Sequence, residues 1–196
     1  MNRKLGCLLA ALGAFFFVLL ILAIGIFSWY RRGVDTVVRL DEQVQERWAQ
    51  VETVIQRRYD LIPNLVATVK GYADFEREVL TEVTALRSQW QQADTREEKI
   101  GLAAQLDSIL PRINVIVERY PELKASEGFV TFQKQLEGTE NRISVERNRY
   151  NEAVREFNAF IRLFWGRYFA RWRDLEEPAE YYESVPGAEA PPEVEF

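Results

Sequence analysis

Two carboxylates, Asp60 and Glu140, are the residues of this chain best placed to do chemistry, and each sits in a polar cluster within an otherwise apolar helical pattern. Arg58, Asp60, Asn64 and Lys70 gather around Pro63, while Glu140, Asn141, Arg142, Tyr150 and Asn151 occupy the middle of a later stretch. Paired carboxylates can run general acid–base hydrolysis or hold a hard cation through oxygen ligands. That chemistry lacks its usual helpers here. The sequence has no histidine, its single cysteine, Cys7, lies inside an apolar segment, and no glycine-rich phosphate loop is present. His-assisted serine and cysteine proteases, His-ligated zinc or haem, and histidine pH switches are therefore excluded. A disulfide within the chain is excluded as well, so cysteine usage does not report the redox compartment. The structural reading of the same nine residues is preferred: where the two stretches pack together, they form a polar layer that sets the register of an apolar seam. The expectation is a protein that is not an enzyme, with no cofactor and no metal. A carboxylate-based enzyme or metal binder built on Asp60 and Glu140 stands as the alternative.

The elements that position these residues begin with a segment without charge from Leu5 to Tyr30, flanked by Arg3 and Lys4 before it and Arg31 and Arg32 after it. As a helix it is roughly 39 Å long against about 30 Å of hydrocarbon, enough to cross a bilayer. Ser28, Trp29 and Tyr30 then reach the far headgroup region, where amphipathic rings are favoured. A cleaved signal peptide has a shorter apolar run, and a lipoprotein cysteine follows its apolar run instead of preceding it, so a membrane anchor over residues 5–30 is the preferred reading. Gly6, Ala10 and Ala14 form a small-xxx-small stripe suited to packing against another helix, which raises a homo-oligomer. The flanking charges nearly tie. Arg39 tips them toward a domain on the cytoplasmic side.

Beyond the anchor, apolar residues recur every three or four positions, and strand alternation is absent. Val34, Val37, Leu40, Val44, Trp48, Val51, Ile55, Tyr59 and Ile62 line one face of a first stretch, which Pro63 breaks near 60–63, with Asp60 available to cap the helix after the break. A second stretch carries Leu65, Val66, Val69, Tyr72, Val79, Val83, Leu86 and Trp90. Thr95 and Glu98 have capping-box spacing for a third, with Ile100, Ala103, Leu106, Leu110, Ile113 and Val117 inward and a bend at Pro111. Residues 120–125 read as a turn. A fourth stretch runs from about Ser126 to Phe164, with Phe129, Phe132, Leu136, Ile143, Tyr150, Val154, Phe157, Ile161 and Phe164 on one face. The fold class expected is all-α: an N-terminal transmembrane helix followed by an antiparallel bundle of long helices.

This divides the chain into a tail and span (1–32), a helical domain (33–164), an aromatic and basic segment (165–184) and an acidic, disordered tail (185–196). Trp165, Tyr168, Phe169, Trp172, Tyr181 and Tyr182 alternate with Arg167, Arg171 and Arg173 in the third part. Such a segment can cap the bundle, or serve as a membrane-interface or partner-binding surface. From Asp174 to Phe196 eight carboxylates meet no Lys or Arg, and the net charge is −5, so no nucleic-acid partner is expected.

Three blocks carry a family resemblance: RRYDLIPNLVATVKGYA at 57–73, YPELKAS at 120–126 and TENRISVERNRYNEAV at 139–154. Together, in this order, they resemble the hallmark blocks of the LemA family, and the nine polar residues above all lie within them. The resemblance covers the chain from the anchor to about Phe164 and departs from the family pattern at Phe164, Trp165, Gly166 and Arg167. It implies a LemA-like fold, with a short N-terminal tail, one span in a bacterial cytoplasmic membrane and an antiparallel helical domain. A link to a membrane protease or to envelope stress is implied in the same way. The function expected is a membrane-anchored adaptor with a protein partner, and the alternative is a self-associating membrane scaffold.

Overall fold

The computed structural model describes the backbone of residues 2–69 and 77–183, and the side chains of residues 12–69 and 77–183. Its described residues form helices and connecting turns, with no strand among them. In chain order these are α1 (Asn2–Tyr59), α2 (Ile62–Val69), α3 (Arg77–Gln92), α4 (Arg96–Glu118), α5 (Pro121–Lys124), α6 (Glu127–Arg162) and α7 (Phe164–Arg171). The sequence-level expectation of an all-helical chain with a long apolar helix leading into a bundle matches this arrangement.

α1 runs unbroken from the apolar segment into the first amphipathic stretch, about 87 Å at roughly 1.5 Å per residue. Its two parts differ in how they meet solvent. Large side chains from Leu12 to Phe27 are exposed all round the helix, as expected of a membrane span. From Val34 onward exposure becomes one-sided: Val34, Val37, Leu40, Val44, Trp48, Val51, Val54, Ile55 and Tyr59 are buried. α4 is also long and apolar enough to cross a bilayer by composition. Its burial of Leu102, Ala103, Leu106, Ile109, Ile113, Ile116 and Val117 explains that composition as a core helix.

The chain forms two compact units, Met1–Gln45 with Ala153–Glu180, and Glu46–Glu152 with Tyr181–Phe196. The first has a core of Val34, Val37, Leu40, Val44, Val154, Phe157, Ile161, Phe169 and Ala170. The second is built from the rest of α1, α2 to α5 and the first two thirds of α6, around Val51, Ile55, Leu65, Val83, Leu106, Ile113, Leu123, Phe129, Phe132 and Ile143.

Local chemistry explains most boundaries. α1 stops at Tyr59 and α2 starts at Ile62, with Pro63 in its first turn, where a missing N–H costs nothing. Asp60 does not reach forward as a cap; its carboxylate accepts from Gln56 Nε2 at 2.9 Å, back on α1. Thr95 closes the expected capping box, its hydroxyl accepting from the Glu98 N–H at 3.2 Å. Pro111 lies inside α4, which persists to Glu118. Residues 121–124 are a short helix and not merely a turn, because Pro121 takes the first helical position, where its fixed φ favours helix. Lys70, Tyr72 and the tail from 184 lie outside the described residues.

Three expected core positions move. Ile100 and Leu110 are half-exposed, and the inward face of α4 is instead completed by Leu102, Ile109 and Ile116. α4 is apolar round much of its circumference, so its periodicity does not single out one face. Phe164 is 78% exposed. α6 ends at Arg162, and Leu163 adopts an extended conformation (ψ 147°), which resets the helical phase before α7 begins. At that corner Gly166 is required: a Cβ there would lie 1.8 Å from the Phe160 carbonyl oxygen at the end of α6. Gly166→Ala is therefore expected to destabilise the corner by ~1–3 kcal/mol, as overpacking does. Trypsin should then cut at Arg162 and Arg167 faster than in the wild type, as read by mass spectrometry of limited digests.

Candidate functional site

The polar residues singled out in the sequence divide by where the folded chain puts them. Arg58, in the last turn of α1, is buried, and its guanidinium donates to the Asp107 carboxylate of α4. Its other terminal nitrogen lies 3.9 Å from Glu140 Oε2 of α6. Asp60, Asn64, Asn141 and Arg142 are exposed, as is Glu140 for most of its side chain. Tyr150 is fully buried, and Asn151 is half-buried. Arg58 and Glu140 are thus the pair of these residues that the fold brings near each other, from the buried end of α1 to the exposed side of α6, while Asp60 turns to Gln56 on the surface.

Several of the polar contacts around Arg58 and Tyr150 were missed. Asp107 neutralises Arg58. Tyr59, beside it, stacks on Trp90 (centroids 4.9 Å apart) and donates its hydroxyl to the Leu102 carbonyl at 2.9 Å. Trp90 Nε1 in turn donates to Gln56 Oε1 at 2.6 Å, and Lys99 pairs with Glu52 across α4 and α1. Arg96 sits 5.3 Å from the Trp48 ring and 5.5 Å from the Tyr150 ring, donating to the Tyr150 hydroxyl at 3.2 Å. The signal that could have exposed Arg58 and Asp107 is a charge within an apolar stripe: each sits directly beside a buried core position, Tyr59 and Leu106.

Two amides on α6 hold the chain that follows α7. Asn151 Nδ2 donates to the Tyr182 carbonyl at 2.9 Å, and its Oδ1 accepts the Tyr182 N–H at 2.8 Å. In the first unit Asn158, buried and not anticipated from sequence, makes the same two-way bond with Ala179 at 2.9 and 2.8 Å. Each amide thus satisfies one N–H and one carbonyl of the segment after α7, backbone groups that have no helical partner there. Burial pushes the Tyr182 phenol up to about 12, helped by the negative charge of Asp107. The same two causes, in the same order, raise Tyr59.

The first unit carries a different site. α7 turns Gly166, Phe169 and Ala170 inward. Phe169 lies 5.1 Å from Trp29 and 6.0 Å from Tyr30, both edge-on, and Trp165 meets Trp29 at 4.9 Å. Trp172 meets Tyr30 at 5.9 Å. Gly33 permits this approach, since a Cβ there would lie 2.2 Å from the Phe169 ring. Arg162, Leu163, Phe164, Arg167, Tyr168 and Arg171 line a cleft of about 470 Å³ on the outer side of α7. Gly6, Cys7 and Ala10 of the expected small-residue stripe and the cysteine position lie in α1, but their side chains are outside the described residues. Among the described residues no group of three or more Cys, Asp or Glu side chains is placed to hold a metal ion.

Comparison with known proteins places this chain among relatives. A family model described as the LemA family matches residues 47–196, continuing past the divergence at 164–167 to the end of the chain. Protein LemA of Metamycoplasma hominis is 31% identical, over 87% of this chain and 79% of its own length. Magnetosome protein MamQ 2 of Paramagnetospirillum magneticum is 24% identical and Magnetosome protein MamQ of Magnetospirillum gryphiswaldense 21%, each over 80% of this chain and 67% of its own. All of these relatives are bacterial.

Arg58→Met leaves Asp107 without its cation, but that carboxylate is partly exposed and water can replace the lost donor. The expected loss is ~1–3 kcal/mol, against under about 0.5 kcal/mol for Asp60→Asn on the surface. Thermal unfolding of the purified protein in detergent, followed by circular dichroism, checks both. For the phenols the folded state holds the proton more tightly than the unfolded chain, whose tyrosines titrate near ~10. For Tyr182 the contribution is complete below about pH 10 and is lost as pH rises toward and through the folded value near 12. Tyr182→Phe should therefore flatten the decline in unfolding temperature between those pH values, leaving the neutral range for comparison.

Proposed function

Since this chain belongs to the LemA family, we propose that it is an anchored adaptor: residues 5–30 hold it in a bacterial cytoplasmic membrane, and the helical units present a surface to a protein partner on the cytoplasmic side. The observation that carries this reading is the continuity of α1. One helix exposes its large apolar side chains on all sides from Leu12 to Phe27 and buries Val34, Val37, Leu40 and Val44 further along. Within the first unit the span therefore runs directly into a packed helical core, which suits a protein held at the membrane by that helix. The buried polar groups of the second unit support a role without turnover. Arg58, Asp107, Tyr59 and Tyr150 are engaged with one another's elements through ion pairs, rings and carbonyls, an arrangement that specifies packing.

Two measurements test the reading. In a Cys7→Ser background, Gln91→Cys places a single thiol on the exposed face of α3. A membrane-impermeant maleimide is expected to label it only after the cells are opened, and labelling of intact cells would reverse the orientation. A photo-crosslinking residue at the exposed Val115 or Val145 should give an adduct with a different protein. A ladder of homo-oligomers with no heterologous adduct would replace the adaptor with a self-associating scaffold.

A further inference from the structure

We propose that the cleft on the outer side of α7 binds the phosphodiester headgroup of an anionic phospholipid in the membrane that α1 spans. This rests on the anchoring reading above, because that reading sets the depth of α7. The charge-free run of α1 is roughly 39 Å long and ends at Trp29 and Tyr30, which puts these rings at the edge of about 30 Å of hydrocarbon. α7 is fastened to those two residues by Trp165, Phe169 and Trp172 at ring separations of 4.9 to 5.9 Å. Gly33 supplies the close approach to Phe169 that this fastening needs, and Gly166 the tight corner against the Phe160 carbonyl from which α7 starts. The helix therefore lies at headgroup depth and beside the span, not out in solvent.

Its free surface has the composition of a membrane-interface element. Phe164 is 78% exposed, Trp172 62% and Trp165 53%, a concentration of large rings that water does not favour. Arg162, Arg167 and Arg171 stand among them around the cleft, whose apolar wall is Leu163, Phe164 and the ring of Tyr168. Among the described residues Arg162 and Arg167 have no ion-pair partner, whereas Arg171 gives its Nε to Glu176 at 3.0 Å. A planar guanidinium matches two phosphate oxygens at once, and two or three of them around one opening select phosphate over a neutral surface. The rings then accept the upper acyl and glycerol carbons, as aromatic residues do at the interface. A zwitterionic headgroup brings its own cation into the arginine field and is disfavoured. An anionic one, such as phosphatidylglycerol, carries only the phosphate charge.

The test uses the full chain in phosphatidylcholine nanodiscs doped with phosphatidylglycerol, with enrichment of each lipid around the protein read by native mass spectrometry. The wild type is expected to retain phosphatidylglycerol selectively. Arg162→Gln with Arg167→Gln should weaken that retention roughly thirtyfold, the value of two arginines at about 1 kcal/mol each near a membrane surface. Arg39→Gln with Arg57→Gln, an equal change of charge on the exposed face of α1, should leave it within about twofold. Excess inorganic phosphate should not displace the lipid; displacement would make the cleft a free-phosphate site and overturn the assignment. Equal retention of the two lipids, or loss equal in both double variants, would overturn it too. Carbonate extraction separates the two levels. A chain that leaves the membrane at high pH defeats the anchoring reading, whereas a chain that stays but shows no lipid preference defeats only this inference. Unchanged circular dichroism in the double variants confirms that they fold.

Discussion

Burial of one stripe along the second half of α1 is the constraint on which the other packing depends. Val34, Val37, Leu40, Val44, Val51, Ile55 and Tyr59 recur at helical spacing, and each is almost fully removed from water. At about 25 cal/mol per Å² of apolar surface, a stripe of this length dominates any local preference of the chain. It also fixes the rotation of α1 about its axis. That rotation decides which residues of the same helix face inward with it, including Arg58, a charge that the stripe draws into the interior.

A buried guanidinium is tolerated only when paired, and its presence organises its surroundings. Asp107 supplies the opposite charge from α4 and Glu140 a more distant one from α6. Tyr59 and Trp90 stack beside this pair, and Arg96 is held between the rings of Trp48 and Tyr150. An apolar seam alone accepts helices shifted by a turn at small cost. These directional contacts penalise such a shift, because a displaced helix leaves a charge or a hydroxyl without its partner. The same logic governs Asn151 and Asn158, whose amides each satisfy one backbone N–H and one carbonyl of the segment after α7.

α7 shows how backbone geometry can override a side-chain pattern. Leu163 leaves helical geometry, and the chain turns through a glycine at 166, so rings that would have continued the inward face of α6 are redistributed. Phe169 goes inward to Trp29 and Tyr30, while Phe164 goes outward. Asp174 then closes the element in the left-handed region at φ 55°, where the Leu175 N–H returns to the Ala170 carbonyl at 3.1 Å. A segment that reads as one aromatic cluster in sequence thus has an inner side that packs and an outer side that remains available.

Most of what local spacing encodes was legible without coordinates, the short helix at Pro121–Lys124 and the side on which Asp60 bonds being the exceptions. The apolar run to Tyr30, the inward faces of α1 and α6, the break at Pro63 and the capping box at Thr95 depend on residues within a few positions of one another, and propensity and periodicity act at that range. The family blocks identified the relationship for the same reason, since they are contiguous strings. The tertiary structure alone decided the pairings. That Arg58 meets Asp107 across 49 positions, or that Asn158 meets Ala179 across 21, depends on how elements are brought together, and no local rule carries that information. Ile100 and Leu110 were misassigned because a helix apolar on several sides takes its orientation from its neighbours. Phe164 was misassigned because one extended residue, Leu163, changed the phase of everything after it. Periodicity reports which way a side chain points only while the helix that defines the period continues.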